Sequence, residues 1–321
     1  MSPGAGAAGF GRRPLGSTGL EVTPVCVGGG PLGSMPENFG YEVSAEQGVR
    51  TARRVLQGPF NFIDTAAGYS GGESERRIGA ALAEAGGLPE GFVLATKVDP
   101  DGDTGDFSGA QVRRSAEGSL ERLGLERLQL LYLHDPEVIS FADGMAPGGP
   151  VEALVELQRE GLVEHLGVAG GPVELMARYL RTGVFEVLIT HNRWTLVDRS
   201  ASDLLDEAVA LGVGVVNGAP FGGGILAKGS GACSTYAYQP ADDEVLRRIR
   251  AMEAACAEHG VPIAAAALQF SLRDPHITST IIGISRPERV DETVHLASLP
   301  VPPELWEALE PLAAPKELWQ W

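Results

Sequence analysis

Eight short apolar runs, separated by amphipathic stretches, constrain this chain more than any other feature of its 321 residues. The runs fall at 25–28, 61–64, 93–97, 128–134, 166–168, 187–190, 214–216 and 280–284, and each is rich in Val, Ile or Leu. Such runs suit strands covered on both faces, as in a parallel sheet flanked by helices. Helical spacing appears between them at 74–85, 150–160, 173–181, 201–211, 243–259 and 287–296, with an extra piece at 263–272. Ser44-Ala45-Glu46-Gln47 and Ser108-Gly109-Ala110-Gln111 match the capping-box spacing and predict two more helix starts. Strand–helix alternation implies parallel strands with right-handed crossovers. Eight such units favour a closed (β/α)8 TIM barrel over an open sheet.

Before the first unit, 13–22 reads as two short extended runs around a Gly-bounded turn, a hairpin placed to plug the bottom of the barrel. Residues 12–321 are read as one domain, ending in a short C-terminal tail. Residues 1–11 are rich in Gly and Ala and lack the long apolar core of a signal peptide, so they are read as a flexible N-terminal tail. Glycine is abundant, at 43 residues, and much of the excess falls in loops after strands, where barrel active sites are built. Cys26, Cys233 and Cys256 form no CxxC pair, which points to a reduced, cytoplasmic protein. The formal charge of −17 argues against nucleic acid or an anionic membrane as partner, because both repel it. A small molecule is the expected partner, and the oligomeric state is open.

The chemistry lies at the strand ends. The second run closes on Asp64 and leads to Tyr69; the third closes on Lys97; the fourth closes on His134. Each is ordinary alone: a loop tyrosine, a solvated lysine, a turn-capping aspartate, a core histidine. In a barrel, however, these ends converge on one mouth, so the four groups share a pocket. The combination fits acid–base work on a carbonyl. Hydride reaching the carbon requires a proton for the oxygen, and Tyr69 can supply it. A nearby Lys97 ammonium favours tyrosinate and is expected to bring the tyrosine pKa down towards neutrality. Asp64 can hold Lys97, and His134 can orient the substrate oxygen.

On these residues the chain resembles the aldo-keto reductases, from about Arg13 to Thr293. The family's Asp-x-Ala-x-x-Tyr motif stands here as Asp64-Thr65-Ala66-Ala67-Gly68-Tyr69, followed by the fitting Gly79; Lys97 and His134 fall where the family's lysine and histidine belong. The resemblance implies a nicotinamide cofactor, NAD or NADP, lying extended across the barrel mouth. It implies Gly29, Gly30 and Asp64 beside that cofactor and Asn192 on its carboxamide. Pro220, Phe221, Gly222, Gly223 and Leu226 would belong to a loop covering the pyrophosphate. Ile284, Ser285, Arg286, Arg289, Glu292 and Thr293 would hold the adenosine end. No GxGxxG fingerprint follows a strand, in keeping with a barrel rather than a Rossmann domain. No metal is implied. Three positions depart from the common pattern. Ala169-Gly170 replaces Ser-Asn, Gly218 replaces a stacking aromatic, and Gly283 replaces a lysine common in NADP users. The first two are similar to a subgroup of sugar (L-fucose) and pyridoxal dehydrogenases, as are His191-Asn192-Arg193-Trp194 and Val215-Val216-Asn217-Gly218. The missing lysine favours NAD.

The reading is therefore an oxidoreductase moving hydride between nicotinamide and a carbonyl or alcohol of a small polyhydroxylated or heteroaromatic substrate. Two other classes compete. A metal-dependent barrel hydrolase would use Asp64, His134 and His191, but Gly28-Gly29-Gly30 stands where its HxH pair belongs. A non-catalytic, cofactor-binding regulatory subunit would not need the intact tetrad. Trp194, Trp319 and Trp321 are read either as pocket walls or as packing.

Overall fold

The computed structural model describes residues 10–320. The tail read at 1–11 lies outside them apart from its last two residues, of which Phe10 packs its ring against Phe60 at 5.6 Å between centroids. Two short strands, β1 (Arg13–Pro14) and β2 (Glu21–Val22), pair antiparallel as the expected hairpin. Eight parallel strands then close a barrel: β3 (Val25–Gly28), β4 (Phe62–Asp64), β5 (Val93–Val98), β6 (Leu128–His134), β7 (Val163–Gly170), β8 (Val187–His191), β9 (Gly214–Gly218) and, after a short β10 (Thr235–Tyr236) and β11 (Gln239–Pro240) ribbon, β12 (Ser279–Gly283). Each barrel strand pairs with its neighbour in sequence, and β12 closes the circle against β3 and β9.

Alternation within each strand explains the continuous apolar runs. Val25, Val27, Ile63, Leu94, Leu131 and Leu133 pack outward beneath the helices. Cys26, Phe62, Ala95, Leu130 and Tyr132 belong to a separate inner cluster that fills the barrel. Two residues beyond Phe62, Ala95 and Tyr132 on the inward side come Asp64, Lys97 and His134. The period of two therefore sends all three polar side chains inward at the upper rim.

The hairpin does close the bottom. Leu15 and Val22 are fully buried in the same inner cluster as Phe62, Val93 and Val216. Gly16 has φ +57°, and a Cβ there would lie 2.3 Å from the Gly214 nitrogen, so this turn accepts only glycine. Asn61 was expected to open β4. Instead it accepts from the Thr23 N–H at 2.7 Å and donates to the carbonyls of Glu21 and Gly91, both at 2.8 Å, stitching the plug to the barrel. Gly79, on the helix Glu73–Ala85, faces the next helix so closely that a Cβ would come within 2.1 Å of the Arg122 carbonyl oxygen.

Some boundaries differ from the reading. β7 extends beyond 166–168 at both ends, because Val163-Glu164-His165 continues the ladder to β6 although two of its residues are polar. β12 ends at Gly283, leaving Ile284 just beyond it. The two capping boxes are half formed. Ser44 and Ser108 accept from the backbone of Gln47 and Gln111, but the glutamine amides reach away to the carbonyls of Ser285 and Asp99. No helix of the described residues is long and apolar enough to cross a membrane.

The plug is open to test. Leu15→Ala should lower the free energy of unfolding by about 2–5 kcal/mol, the usual cost of a core Leu truncation. Urea unfolding reads this directly, and a loss below about 0.5 kcal/mol would mean that Leu15 does not fill the barrel floor.

Candidate active site

The loop after β4 is built to return a tyrosine over the rim. Its backbone continues the ladder to β5, with Thr65 N–H donating to Ala95 O at 2.9 Å and Ala67 N–H to Lys97 O at 3.2 Å. A tight turn at Gly68–Ser70, with Ser70 at φ +50°, then delivers Tyr69. Lys97 reaches up from β5 into this loop. Its ammonium donates to Asp64 Oδ1 at 2.5 Å, to Thr65 O at 2.7 Å and to Tyr69 Oη at 3.1 Å. An ammonium has three N–H bonds, and all three are used, so its orientation is fixed. Both members of the Lys97–Asp64 ion pair are only 3% exposed.

His134 faces Tyr69 edge-on, with ring centroids 5.8 Å apart. Its Nδ1–H donates to Asp99 Oδ1 at 2.6 Å, the proton being placed there because a carboxylate only accepts. This leaves Nε2 to face the pocket. The other Asp99 oxygen accepts the Gly68 N–H at 2.6 Å. A Cβ on Gly68 would sit 2.9 Å from the Asp99 carboxyl carbon, which explains the glycine before Tyr69. Sequence reasoning missed Asp99, and also Tyr236, whose buried hydroxyl donates to Asn192 O at 3.3 Å and bonds Thr195 Oγ1 at 2.8 Å.

The electrostatics correct one expectation. Lys97 does act to lower the Tyr69 pKa, but burial acts more strongly in the opposite direction, helped by Asp64, and the phenol is pushed up to about 12. Tyr69 is thus a neutral acid rather than a tyrosinate near neutral pH. Burial opposes the Lys97 charge, yet Asp64 and Tyr69 outweigh it and hold the ammonium above its ordinary range. Burial lifts Asp64 despite Lys97. For His134, burial pulls the pKa down, but the Asp99 carboxylate prevails and the net shift is upward.

The other residues expected to hold a cofactor lie on segments that follow β3, β8, β9 and β12. Gly29 and Gly30 are buried just past β3; a Cβ on Gly30 would lie 3.7 Å from the Tyr69 ring, and one on Gly29 would lie 2.9 Å from Ser74 Oγ. Asn192 follows β8 in a left-handed conformation, φ +60°, and is buried. Its Oδ1 and the Asp64 Oδ2 are buried acceptors with no donor among the described residues. Buried polar atoms rarely go unpaired, so this pair fits a ligand that brings hydroxyl and amide N–H donors, as a nicotinamide riboside does. Pro220, Phe221, Gly222, Gly223 and Leu226 form a compact turn after β9 in which Gly222, Gly223 and Gly224 all have positive φ. A Cβ on Gly222 would strike the Tyr236 ring at 2.4 Å. Ile284 and Ser285 are buried just before the helix Glu288–Ser298, and Thr293 is buried on it. Arg286 is paired with Glu292 at 2.5 Å, whereas Arg289 has no carboxylate partner among the described residues and keeps a buried, unbonded Nε.

The metal set of the hydrolase reading is not assembled. Asp64 is taken by Lys97 and His134 by Asp99, while His191 groups instead with Asp135 and Glu137. Trp194 and Trp319 behave as packing residues. Trp194 lies against Phe270 at 5.6 Å, and the Trp319 indole N–H donates to Ala314 O. Trp321 lies outside the described residues.

The model of the aldo/keto reductase family matches residues 24–314. L-Galactose dehydrogenase from Arabidopsis thaliana is 31% identical over 316 residues, spanning 96% of this chain and 96% of that protein. Pyridoxal 4-dehydrogenase from Microbacterium luteolum is 28% identical over 335 residues, spanning 93% and 96% respectively. Among solved structures, an aldo-keto reductase from Bacillus halodurans, in its holo form, shares the fold with a TM-score of 0.77 and 22% identity, over 96% of this chain and 99% of that one.

Asp99 provides the test of these electrostatics. Asp99→Asn removes the anion but leaves the burial, so the His134 pKa should fall from above its ordinary range to below it. Titration of the His134 ring protons by NMR measures the midpoint, and an unmoved midpoint would assign the elevation to another group.

Proposed function

The chain belongs to the aldo/keto reductase family, and from that premise we propose that it is a nicotinamide-dependent dehydrogenase of small polyhydroxylated or heteroaromatic molecules. It would oxidise a lactol or alcohol carbon and reduce the matching carbonyl. The observation that carries this reading is the Tyr69 hydroxyl, held at 3.1 Å by an ammonium that Asp64 and Thr65 lock in place. The substrate class rests on two relatives, one named for a sugar and one for pyridoxal.

A bound nicotinamide supplies or accepts the hydride; the side chains manage the proton. In reduction, the substrate oxygen lies between Tyr69 Oη and His134 Nε2. With Nδ1–H held by Asp99, Nε2 can donate only in the imidazolium form, which the Asp99 carboxylate favours; in that form His134 donates from Nε2 and orients the oxygen. Tyr69 gives its proton as negative charge builds on that oxygen. Lys97 stays charged throughout and stabilises the phenolate left behind. In oxidation the sequence reverses, and Tyr69 must first be deprotonated to accept the alcohol proton. The two unpartnered acceptors, Asp64 Oδ2 and Asn192 Oδ1, would receive donors from the cofactor.

For the cofactor we propose NAD in preference to NADP. A 2′-phosphate needs cations that are free to pair with it. Arg286 is already engaged by Glu292, with Glu288 3.9 Å away. Gly283 offers no cation, and a Cβ there would meet the Pro31 ring at 3.0 Å. Of Arg286 and Arg289, the second has no carboxylate partner among the described residues, and an arginine can equally stack on adenine.

Three outcomes follow from this reading. Tyr69→Phe should cut turnover by roughly 10²–10⁴-fold while cofactor affinity stays close to that of the parent; near-normal turnover would remove Tyr69 from the proton path. With a phenol pKa of about 12, kcat/KM for oxidation should climb with pH through the alkaline range, because tyrosinate is the base, while reduction gains nothing from the same rise. A pH–rate series in both directions reads the contrast, and a flat oxidation profile contradicts it. Finally, kcat/KM measured with NAD and with NADP at one pH and salt concentration should favour NAD. A preference for NADP beyond tenfold, about 1.4 kcal/mol, would overturn the assignment.

A further inference from the structure

Beside the tetrad lies a cluster that the mechanism above does not use. Asp135, Glu137 and His191 offer side-chain polar atoms that all lie within 4.8 Å of one another. Asp135 directly follows His134, and its backbone is left-handed, with φ +41° and ψ +54°. An L-residue adopts that conformation at a cost, which the surrounding structure must justify. The ordinary justification fails here. Asp135 precedes a short 3₁₀ turn, Pro136–Val138, yet its side chain makes no capping bond to that turn. The backbone is instead pinned by Asp135 N–H donating to Ala169 O at 2.7 Å. The carboxylate is thereby held between two imidazoles, with Oδ2 3.8 Å from His134 Nε2 and Oδ1 3.7 Å from His191 Nε2.

His134 Nε2 is the atom left to face the substrate oxygen. The Asp135 Oδ2 therefore lies 3.8 Å from the atom that would bind the oxygen on which negative charge develops. Partial burial works against its ionisation, but the two imidazoles prevail and hold its carboxyl at about 2, so it is anionic under working conditions. An anion next to an incipient alkoxide is unfavourable unless a donor stands between them. A hydroxyl on the carbon beside the reacting one is such a donor, because it can give its proton to Asp135 while its neighbour's oxygen is bound by Tyr69 and His134. A carbonyl without that hydroxyl would leave only water to separate the two negative charges.

We propose that Asp135 is a specificity-determining residue that accepts a hydrogen bond from the hydroxyl adjacent to the reacting carbon, with His191 holding its carboxylate in place. The proposal rests on the dehydrogenase reading and narrows it to substrates that carry a hydroxyl next to the oxidised or reduced centre. A site built to bond a substrate hydroxyl discriminates strongly against the analogue lacking it when that site is fully buried. Asp135 is 48% exposed, so water can take the hydroxyl's place and the discrimination should be smaller, about 10- to 100-fold.

The test compares galactose with 2-deoxygalactose, using the full-length protein in complex with its cofactor. Turnover is measured as kcat/KM, and binding is measured separately by saturation-transfer NMR. The parent should prefer galactose by at least tenfold. In Asp135→Ala the ratio between the two sugars should fall towards one, and in the isosteric Asp135→Asn, which keeps an oxygen acceptor but loses the charge, it should fall part of the way. A parent without preference in both measurements overturns the proposal, as does a variant that keeps the parent's ratio while weakening both sugars equally. Failure of the broader reading looks different. In that case no carbonyl or alcohol turns over in the parent, and the NMR ratio alone decides the role of Asp135.

Discussion

The Lys97–Asp64 ion pair is the interaction on which the rest of the site depends. A lone charge at this depth would be very unfavourable, and removing one partner of such a pair typically costs about 3–5 kcal/mol. The cost is met here by geometry. Asp64 ends β4, Lys97 lies one residue before the end of the adjacent parallel β5, and the two strands are registered Asp64 against Ala95, so Lys97 rises just past its partner. The first two N–H groups after Asp64 that bond back to β5 keep the loop in contact with that strand. The loop carbonyl of Thr65 then supplies the second acceptor for Lys97, and Tyr69 Oη supplies the third. The pair thus fixes the loop, and the loop fixes the tyrosine. Asp99, just past the end of β5, performs the same task. It grips Gly68 of that loop with one oxygen and His134 with the other, so the acid and the orienting histidine are positioned against a common support.

The parts of this arrangement that were readable beforehand share one physical origin. Strands buried on both faces appear as unbroken apolar runs, so the polar residues that end them stand out, and Asp64, Lys97 and His134 each do. The hairpin was visible because Gly16 and Gly19 bound its turn. The parts that were not readable have opposite signatures. Asp99 opens the segment Asp99–Asp106, where aspartates alternate with Gly, Pro and Thr, and this reads as a solvated turn. Tyr236 lies in a two-residue strand, too short to leave a periodic trace. The start of β7 was hidden because Glu164 and His165 are polar at the exposed lower rim, where Glu186 bonds His165 at 3.0 Å. The rise in the Tyr69 pKa was missed for a different reason. Charged neighbours can be counted in a sequence, but the depth of burial that outweighs them cannot.

Packing also gives a physical account of the place where this chain departs most clearly from its wider family. Ala169-Gly170 stands where many members carry Ser-Asn, which by sequence alone looks like a loss of polar contacts at the mouth. The structure shows that the space is filled from elsewhere. A Cβ on Gly170 would lie 2.8 Å from Glu137 Oε2 and 2.8 Å from Met176 Cε, and a Cβ on Gly171 would lie 2.6 Å from Arg193 Nη1. The space beside Gly170 and Gly171 is therefore occupied, because the loops after β6 and β8 project a carboxylate and a guanidinium into that volume. Gly171 N–H donates to Glu137 at 3.1 Å and Arg193 to His191 O at 3.1 Å, so the two intruding side chains are anchored to the strand ends they cover. Polar groups at this rim are thus supplied by long charged side chains of neighbouring loops rather than by short amides on β7. Since Glu137 belongs to the cluster around Asp135, the missing side chain at Gly170, the last residue of β7, leaves room for that cluster beside His134.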